Sequence, residues 1–534
     1  MILLLRKFVT LLQNFIMKII EMVRNHKAIE KFAVFPQSLI AIFFSLGLIG
    51  ILRHSMWRDE INVWLIARDS SSVMELFQNI KYEGHPGLWY ICLYILNLLT
   101  SNPIAMQFFH LAIATAVITI FLYFSPFLRW QKILFCFGYL PFYEYLLISR
   151  NYAIGVLLIF TFCALFPTRQ RSYFLLALTL FALANANAYG LIISISLGLM
   201  LGLDYLLNRQ TEKRSLVSQN NLIISAVIFI LGIITSLAQL IPPADSNLAG
   251  GASGWVLNFN FQRLTEVLTT IWNGYVVVIV PGKQEITMFA IISTGLLIFT
   301  LLSLIRQPII LFLYSFGTFS ILFFSYLKFI GGPRHHGNLY ILLVAVLWLA
   351  SYYPANNLYL ENLAFKLFKQ PAQRLIGFAS QYRKAFFSVL LSAQLAAGIV
   401  AFTRDIIIPL SASRETARFI HQQHLDQILL VGSKDYAVSP IGGYLNRKIY
   451  YPEIKDMGSF VLFNQKRQEV NAIAVLEQVN FLLKQNNPQI LLILNYELDM
   501  ANPDLNIAAI ANFTNSFMSD EKYYLYLVSP AVKA

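Results

Sequence analysis

Two adjacent carboxylates, Asp59 and Glu60, follow the first strongly apolar segment of the chain. Further along, Glu83 and His85 stand in the sequence Glu-Gly-His-Pro. A positioned carboxylate can accept a proton from a reacting group, and histidine can fix or share a neighbouring charge. An isolated acid at the end of a membrane span is often merely solvated, but this pair together with the Glu-Gly-His-Pro turn is not generic loop composition. We therefore take Asp59 and Glu60 as candidate catalytic residues.

These residues belong to a chain whose composition is typical of a membrane protein. Of its 534 residues, 57% are hydrophobic and only 13% are charged, whereas soluble domains are nearer one quarter charged. The net charge of +13 comes from Lys and Arg spread over short loops between apolar runs, as in membrane proteins with many spans. This distribution argues against nucleic-acid binding. The three cysteines lie in apolar stretches without metal-ligand spacing.

Hydropathy and loop charge predict a polytopic α-helical membrane protein with about eleven spans and a cytoplasmic N-terminus. The apolar run 88–99 covers only about 18 Å at 1.5 Å per residue, which is too short to cross. Omitting it places the basic loops on the inner side, as the positive-inside rule requires. The predicted spans are 34–53, 104–125, 131–148, 151–167, 171–188, 189–207, 221–241, 286–305, 308–330, 337–353 and 386–403.

Two flanking regions differ from this membrane domain. Residues 1–33 alternate apolar and basic residues, which predicts an amphipathic segment on the inner face. Residues 411–534 alternate short strand-like and helix-like stretches, which predicts a soluble α/β domain with a partly parallel sheet outside the membrane. This domain contains no Gly-x-Gly-x-x-Gly fingerprint for a nucleotide. The membrane domain itself is predicted to be 34–403.

Under this topology the unusual polar residues fall at turns on one face of the membrane. Ionisable groups at membrane depth are costly and usually face a cavity or one another, so we predict that these turns converge on one outer cavity. Asn185 is also explained by hydrogen bonding between helices. The candidate cavity residues beyond the two acidic motifs are Glu144, Arg150, Tyr152, Asn185, Tyr189, Arg334, His335 and His336.

The His335-His336 pair permits two further readings. It could cap the start of a helix, or histidines together with carboxylates could bind a divalent metal. Adjacent residues on a helix point in different directions, so the sequence defines no metal-ligand set. The loop 242–285 contains a run of small residues before an amphipathic stretch at 261–280. This loop has two interpretations, a mobile lid with a helical base and a plain surface loop.

The acid pair after span one, the later His85-Pro86-Gly87-Leu88 and the turn Ser149–Tyr152 resemble the GT-C superfamily of membrane glycosyltransferases. More narrowly, the chain resembles the protein O-mannosyltransferase and aminoarabinose-transferase-like branch, which is glycosyltransferase family 39-like. The resemblance covers roughly residues 35–350. Gly87 stands where the family usually has a second proline.

This resemblance implies an inverting transferase that moves a sugar from a polyprenyl-phosphate carrier to a hydroxyl acceptor at the outer face. Asp59 would then be the general base, while Glu83 and His85 would orient the loop and the acceptor. The departing lipid phosphate needs positive charge, and a guanidinium fork matches phosphate oxygens. We therefore expect Arg150 and Arg334, aided by His335 or His336, to bind the donor phosphate.

Partners would be the lipid-linked sugar and a hydroxyl-bearing lipid, glycan or protein, most simply at a bacterial plasma membrane. One alternative is a transporter or flippase for lipid-linked sugars, which predicts polar groups at mid-span depth. Another is a non-catalytic partner subunit of a glycan-assembly complex, with the tail as its binding module. Polar clusters at one face favour chemistry there.

Overall fold

The computed structural model describes residues 34–207, 217–248, 254–277, 282–353, 370–485, 487–500 and 502–531. The amphipathic segment predicted at 1–33 lies outside these residues, as does the small-residue run 249–253 of the predicted lid. The helices are α1 (Val34–Arg53), α2 (Arg58–Asp69), α3 (Val73–Asn79), α4 (Leu88–Asn97), α5 (Ile104–Phe124), α6 (Arg129–Cys136), α7 (Tyr152–Leu165), α8 (Phe174–Ala184), α9 (Ala188–Leu207), α10 (Gln219–Leu240), α11 (Phe261–Tyr275), α12 (Ile286–Leu304), α13 (Pro308–Leu327), α14 (Pro333–Ala350), α15 (Gln370–Ile407), α16 (Ser413–Gln422), α17 (Asp435–Leu445) and α18 (Ala472–Leu483).

Among the described residues, eight helices are long and apolar enough to cross a membrane, so the chain is a multi-pass integral membrane protein. They coincide with eight of the eleven predicted spans. They are α1, α5, α7 with its 3₁₀ extension to Gln170, α9, α10, α12, α13 and α15 from Gln373. The run at α4 forms only a ten-residue helix, in agreement with its short predicted length.

Three predicted spans differ from the structure for local reasons. In 131–148, α6 ends at Cys136 and a π-helical turn follows at Tyr139–Glu144, which contains Pro141. In 171–188, α8 has only 11 residues and ends before Asn185. In 337–353, the helix begins earlier, at Pro333, and its first turn carries an arginine and two histidines, which lower its mean hydropathy.

The C-terminal region forms the predicted partly parallel sheet. Its strands are β1 (Leu429–Ser433), β2 (Ile449–Tyr451), β3 (Asp456–Gly458), β4 (Ile490–Leu494), β5 (Leu505–Phe513) and β6 (Tyr523–Pro530), in the order β3-β2-β1-β4-β6-β5. β1 pairs in parallel with β2 and β4, while the other pairings are antiparallel. Strands β3 and β5 were not predicted. β5 has an irregular register and mostly polar or exposed positions.

The sheet domain is docked on the helix that carries the acidic pair. Helix α17 packs against α2, and a side chain at Gly443 would place its Cβ 2.5 Å from Ile61 Cγ2. The Tyr444 hydroxyl accepts a hydrogen bond from the Met56 backbone N–H at 2.9 Å. The Ser413 hydroxyl donates to the Met56 carbonyl at 3.0 Å. These contacts fix the domain directly above the start of α2.

Candidate active site

A cavity of about 270 Å³ lies between α2, the ends of several membrane helices and the C-terminal domain. Its size is near the lower end of the roughly 300–1,000 Å³ typical of small-molecule sites. Seven of the twelve predicted site residues line it, and they come from five separate chain segments. These seven are Asp59, Glu83, His85, Arg150, Tyr189, Arg334 and His335.

Asp59 lies in the first turn of α2, where a carboxylate interacts favourably with the helix dipole. One carboxylate oxygen is 3.1 Å from a guanidinium nitrogen of Arg334, and the other is 3.9 Å from Nε of Arg58. Burial raises the pKa of Asp59, but the charges of Arg334, Arg150 and Arg58 outweigh it and hold this pKa below its ordinary value. Asp59 is therefore ionised, and 34% of its side chain is exposed to the cavity.

Arg150 is held in place at the turn before α7. Its guanidinium donates to the Asp59 carbonyl oxygen and lies 3.4 Å from Nε2 of His85. The adjacent Ser149 N–H is bonded to Glu60 at 2.7 Å, which fixes the turn. The buried Nε of Arg150 has no hydrogen-bond partner among the described residues. A buried donor without a partner costs about 1–3 kcal/mol, so this group is suited to an incoming acceptor oxygen.

Glu83 and His85 form the part of the cavity next to Arg150. Glu83 accepts hydrogen bonds from the Asn62 amide at 3.1 Å and the Tyr90 hydroxyl at 3.2 Å. Burial raises its pKa to about 7, despite the nearby Arg150 charge. Burial and the charges of Arg150 and Arg334 lower the pKa of His85 to about 3, so His85 is neutral. Its buried Nδ1 has no hydrogen-bond partner among the described residues.

Glu60 does not line the cavity, which differs from its predicted catalytic role. It is fully buried and bonds to His54 Nε2 at 3.0 Å and to the backbone N–H groups of Trp57 and Ser149. His54 Nδ1 in turn lies 2.9 Å from Asp405. Successive helical residues point about 100° apart, so Asp59 faces the cavity while Glu60 faces the packed interior. Glu60 is thus placed to position its neighbours rather than to contact a substrate.

Four other predicted site residues also lie outside the cavity lining. Glu144 accepts a hydrogen bond from the Tyr139 hydroxyl at 2.7 Å, and Nε2 of His336 lies 3.0 Å from the Ile330 carbonyl. Tyr152 packs its ring edge-to-face with His335 at 5.5 Å, behind the cavity wall. Asn185 bonds to α10 through the Gly232 carbonyl at 3.2 Å and through Gln239. Asn185 therefore has the alternative interhelical role that its sequence position allowed.

The cavity also contains residues that were not predicted from the sequence. Arg58 and Asn62 flank Asp59 on α2, and Lys328 lies after α13, where its ammonium is 4.5 Å from the Trp255 ring centroid. Each of them lies close in sequence to a predicted site residue, and this proximity could have indicated its place in the cavity. The C-terminal domain contributes Tyr436, Ser439, Val461 and Phe463, which no local sequence pattern marks as cavity residues.

The charged groups of the cavity are mainly cationic. Arg58, Arg150, Lys328 and Arg334 face two carboxylates, Asp59 and Glu83. Within the described part of the chain, no three His, Cys, Asp or Glu side chains come together as a metal-ligand group. The arrangement can bind an anion next to an ionised carboxylate.

No protein-family model matches the sequence, and no curated protein matches it. Among solved structures, the chain is similar to the crystal structure of ArnT from Cupriavidus metallidurans bound to undecaprenyl phosphate. The TM-score is 0.42 and the sequence identity 10%, over 92% of this chain and 97% of that chain.

Proposed function

We propose that this protein is a membrane glycosyltransferase that moves a sugar from a polyprenyl-phosphate donor to a hydroxyl acceptor. The observation that carries the proposal is the Asp59 carboxylate within 3.1 Å of Arg334 in a cavity that also contains Arg150 and Lys328. A carboxylate beside cationic groups provides the two things that this transfer needs. These are a proton acceptor for the attacking hydroxyl and counter-charge for a leaving phosphate.

In the proposed reaction, Asp59 accepts the proton of the acceptor hydroxyl as its oxygen attacks the anomeric carbon. The new carbon–oxygen bond forms as the bond from that carbon to the phosphate oxygen breaks, so the configuration is inverted. The electron pair leaves with the phosphate. Proton transfer to a positioned base typically contributes about 10²–10⁴ in rate.

Arg150 and Arg334 are proposed to bind the donor phosphate. The Nε of Arg150, which has no hydrogen-bond partner among the described residues, supports this role. A guanidinium group can donate two parallel hydrogen bonds to phosphate oxygens. When phosphate oxygens engage Arg334, its attraction for Asp59 weakens. The pKa of Asp59 then rises, which makes the carboxylate a better base at the moment the donor is bound.

The cavity lies at the ends of apolar helices, and this position fits a lipid-linked donor, because the prenyl chain can remain in the bilayer while its phosphate reaches the helix ends. We propose that the cavity and the C-terminal domain (411–534) lie on the non-cytoplasmic side of a bacterial plasma membrane. The distribution of Lys and Arg among the loops supports this orientation.

The test is an Asp59→Asn variant in cells whose envelope glycans are compared by mass spectrometry with and without the protein. We expect at least a roughly 100-fold loss of product at unchanged protein abundance in the membrane. Asp69→Asn is the matched control, because Asp69 ends the same helix and pairs with Arg68. Unchanged product from Asp59→Asn would overturn the base assignment. Movement of the lipid-linked sugar between leaflets without a new glycosidic bond would indicate a transporter instead.

A further inference from the structure

The two walls of the cavity differ in chemistry. The membrane-domain wall carries the reacting charges, including Asp59, Arg150 and Arg334. The opposite wall comes from the C-terminal domain and contains no charged lining residue among those described: it consists of Tyr436, Ser439, Val461 and Phe463. We call these four residues the roof of the cavity.

Two guanidinium groups contact the ring of Tyr436. Arg58 lies 5.0 Å from the ring centroid and Arg467 lies 5.7 Å from it, while Arg467 is also 5.5 Å from the ring of Phe463. Such cation–π contacts contribute about 0.5–1 kcal/mol at exposed sites and more when desolvated. The two aromatic rings of the roof are therefore fixed before any ligand arrives.

Both guanidinium groups already have carboxylate partners. Arg467 forms a two-point ion pair with Asp435, with nitrogen–oxygen distances of 2.8 Å, and a further bond of 2.7 Å with Glu469. Arg58 pairs with Asp520, and its backbone N–H donates to Glu521 at 3.0 Å. Because these charges are compensated, they hold the aromatic rings rather than attract a phosphate. The roof is unsuited to a phosphate-bearing ligand.

The roof is also tied to the reacting groups. Asn62 accepts a hydrogen bond from the Val461 N–H at 2.9 Å and donates to the Val461 carbonyl at 3.3 Å. The same Asn62 amide group donates to Glu83. Phe463 is fixed from the other side, since its carbonyl accepts from the Asn247 N–H at 2.8 Å. A ligand on the roof would therefore sit at a defined distance from Asp59.

We infer that the roof is the acceptor subsite and that it takes the sugar ring of an uncharged carbohydrate acceptor. This inference rests on the proposed function. The C–H faces of a sugar ring are apolar and stack on fixed aromatic side chains, while its hydroxyl groups can reach polar neighbours at the rim. With the donor phosphate on the cationic wall, a sugar hydroxyl on the roof faces Asp59. Tyr436 and Phe463 thus determine which acceptor is used.

The experiment uses the full-length protein in lipid nanodiscs, without glycoside detergents that would compete for the site. Saturation-transfer difference NMR measures binding of a set of methyl glycosides and of a peptide rich in serine and threonine. Wild-type protein is expected to bind at least one methyl glycoside. Tyr436→Ala and Phe463→Ala should reduce that signal at least threefold, while Tyr436→Phe should retain it.

The matched control is Phe481→Ala, since Phe481 is an exposed aromatic residue on α18 of the same domain and does not line the cavity. In a transfer assay, Tyr436→Ala should raise the acceptor KM roughly tenfold and leave the donor KM within about twofold, since about 1.4 kcal/mol of contact energy corresponds to that factor. If Tyr436 had only a structural role, Tyr436→Ala would change both the acceptor KM and the donor KM.

Two results would overturn the inference. One is an unchanged glycoside signal in Tyr436→Ala, and the other is binding of the peptide but of no glycoside. The Asp59→Asn variant separates this failure from failure of the proposed function. It should bind glycosides normally and lose transfer, so normal transfer by Asp59→Asn would remove the proposed chemistry whatever the roof binds.

Discussion

Asp59 and Arg334 form an ion pair of 3.1 Å, although one begins a helix near the N-terminus and the other begins α14. The Arg334 guanidinium also lies 4.9 Å from the ring centroid of Trp57, the residue before α2. These contacts join two distant parts of the membrane domain at the cavity. The pKa of the Asp59 carboxylate therefore depends on which groups bind the Arg334 guanidinium.

This link predicts a change in pH dependence for Arg334→Gln. The arginine charge helps to lower the pKa of Asp59, so its removal raises that pKa. Because the base must be ionised, the acidic limb of the transfer rate should move to higher pH, and the donor KM should rise. The measurement is the pH profile of transfer. Arg263→Gln is the control, since Arg263 bonds to backbone carbonyls near the end of α13 and does not line the cavity. An unshifted acidic limb would contradict the link.

A second prediction concerns His54, whose two ring nitrogens face the carboxylates of Glu60 and Asp405 at 3.0 and 2.9 Å. Burial lowers the pKa of His54, but the two carboxylates outweigh it and raise this pKa to about 10. The stabilisation is fully present below the ordinary value of 6.5 and is lost as the pH rises through about 10.

The test is the thermal unfolding midpoint of purified protein between pH 6 and 10. His54→Gln should lower the stability by about 3–5 kcal/mol, because it leaves buried carboxylates without their partner. It should also remove most of the decline above pH 6.5. His421→Gln is the control, since His421 is 75% exposed and pairs with Asp426 at the surface. A variant that keeps the wild-type pH dependence would show that His54 does not carry this charge.

Much of the membrane-domain half of the site was predictable from the sequence. Residues such as Asp59, Arg150 and Arg334 stand at the ends of apolar segments, where hydropathy alone marks them as unusual. Helical periodicity could also have separated Asp59 from Glu60, because adjacent residues on α2 must face different sides. Periodicity alone does not identify which face of α2 lines the cavity.

The other half was not predictable, because it depends on how the C-terminal domain docks. Tyr436 and Phe463 are ordinary aromatic residues in their local sequence, and their place in the cavity comes from the docking of the C-terminal domain on the membrane domain. Similarly, β5 contains three alanines and two asparagines, which have low strand propensity, so its strand pattern is weak and it is defined by its pairing with β6. Local sequence patterns do not encode such long-range contacts.

A third prediction concerns the protonation of Glu83. Its pKa, raised by burial to about 7 from the ordinary 4.5, means that the carboxyl group is largely neutral at mildly acidic pH. Infrared spectroscopy of the full-length protein should show a carboxylic-acid C=O band that disappears as the pH rises through about 7. The band should lose intensity in Glu83→Gln and keep it in the control Glu285→Gln, since Glu285 lies before α12 and away from the cavity. A residual band remains in both variants, because burial also raises the pKa of Glu453 to about 7. A band of unchanged intensity in Glu83→Gln would contradict the assignment.

The last prediction tests the docking on which the roof depends. A Cβ at Gly443 would lie 2.5 Å from Ile61 Cγ2, well inside van der Waals contact, so Gly443→Val should force α17 away from α2. Overpacking of this kind typically costs about 1–3 kcal/mol. We expect faster hydrogen exchange in both helices and a higher acceptor KM.

Ile61→Ala in the same chain should restore part of both losses, because it removes the group that the valine contacts. Gly202→Val is the matched control, since nothing lies within 4 Å of its Cβ position. Equal effects of the two valine substitutions, or no recovery in the double variant, would show that this contact does not hold the domain over the cavity.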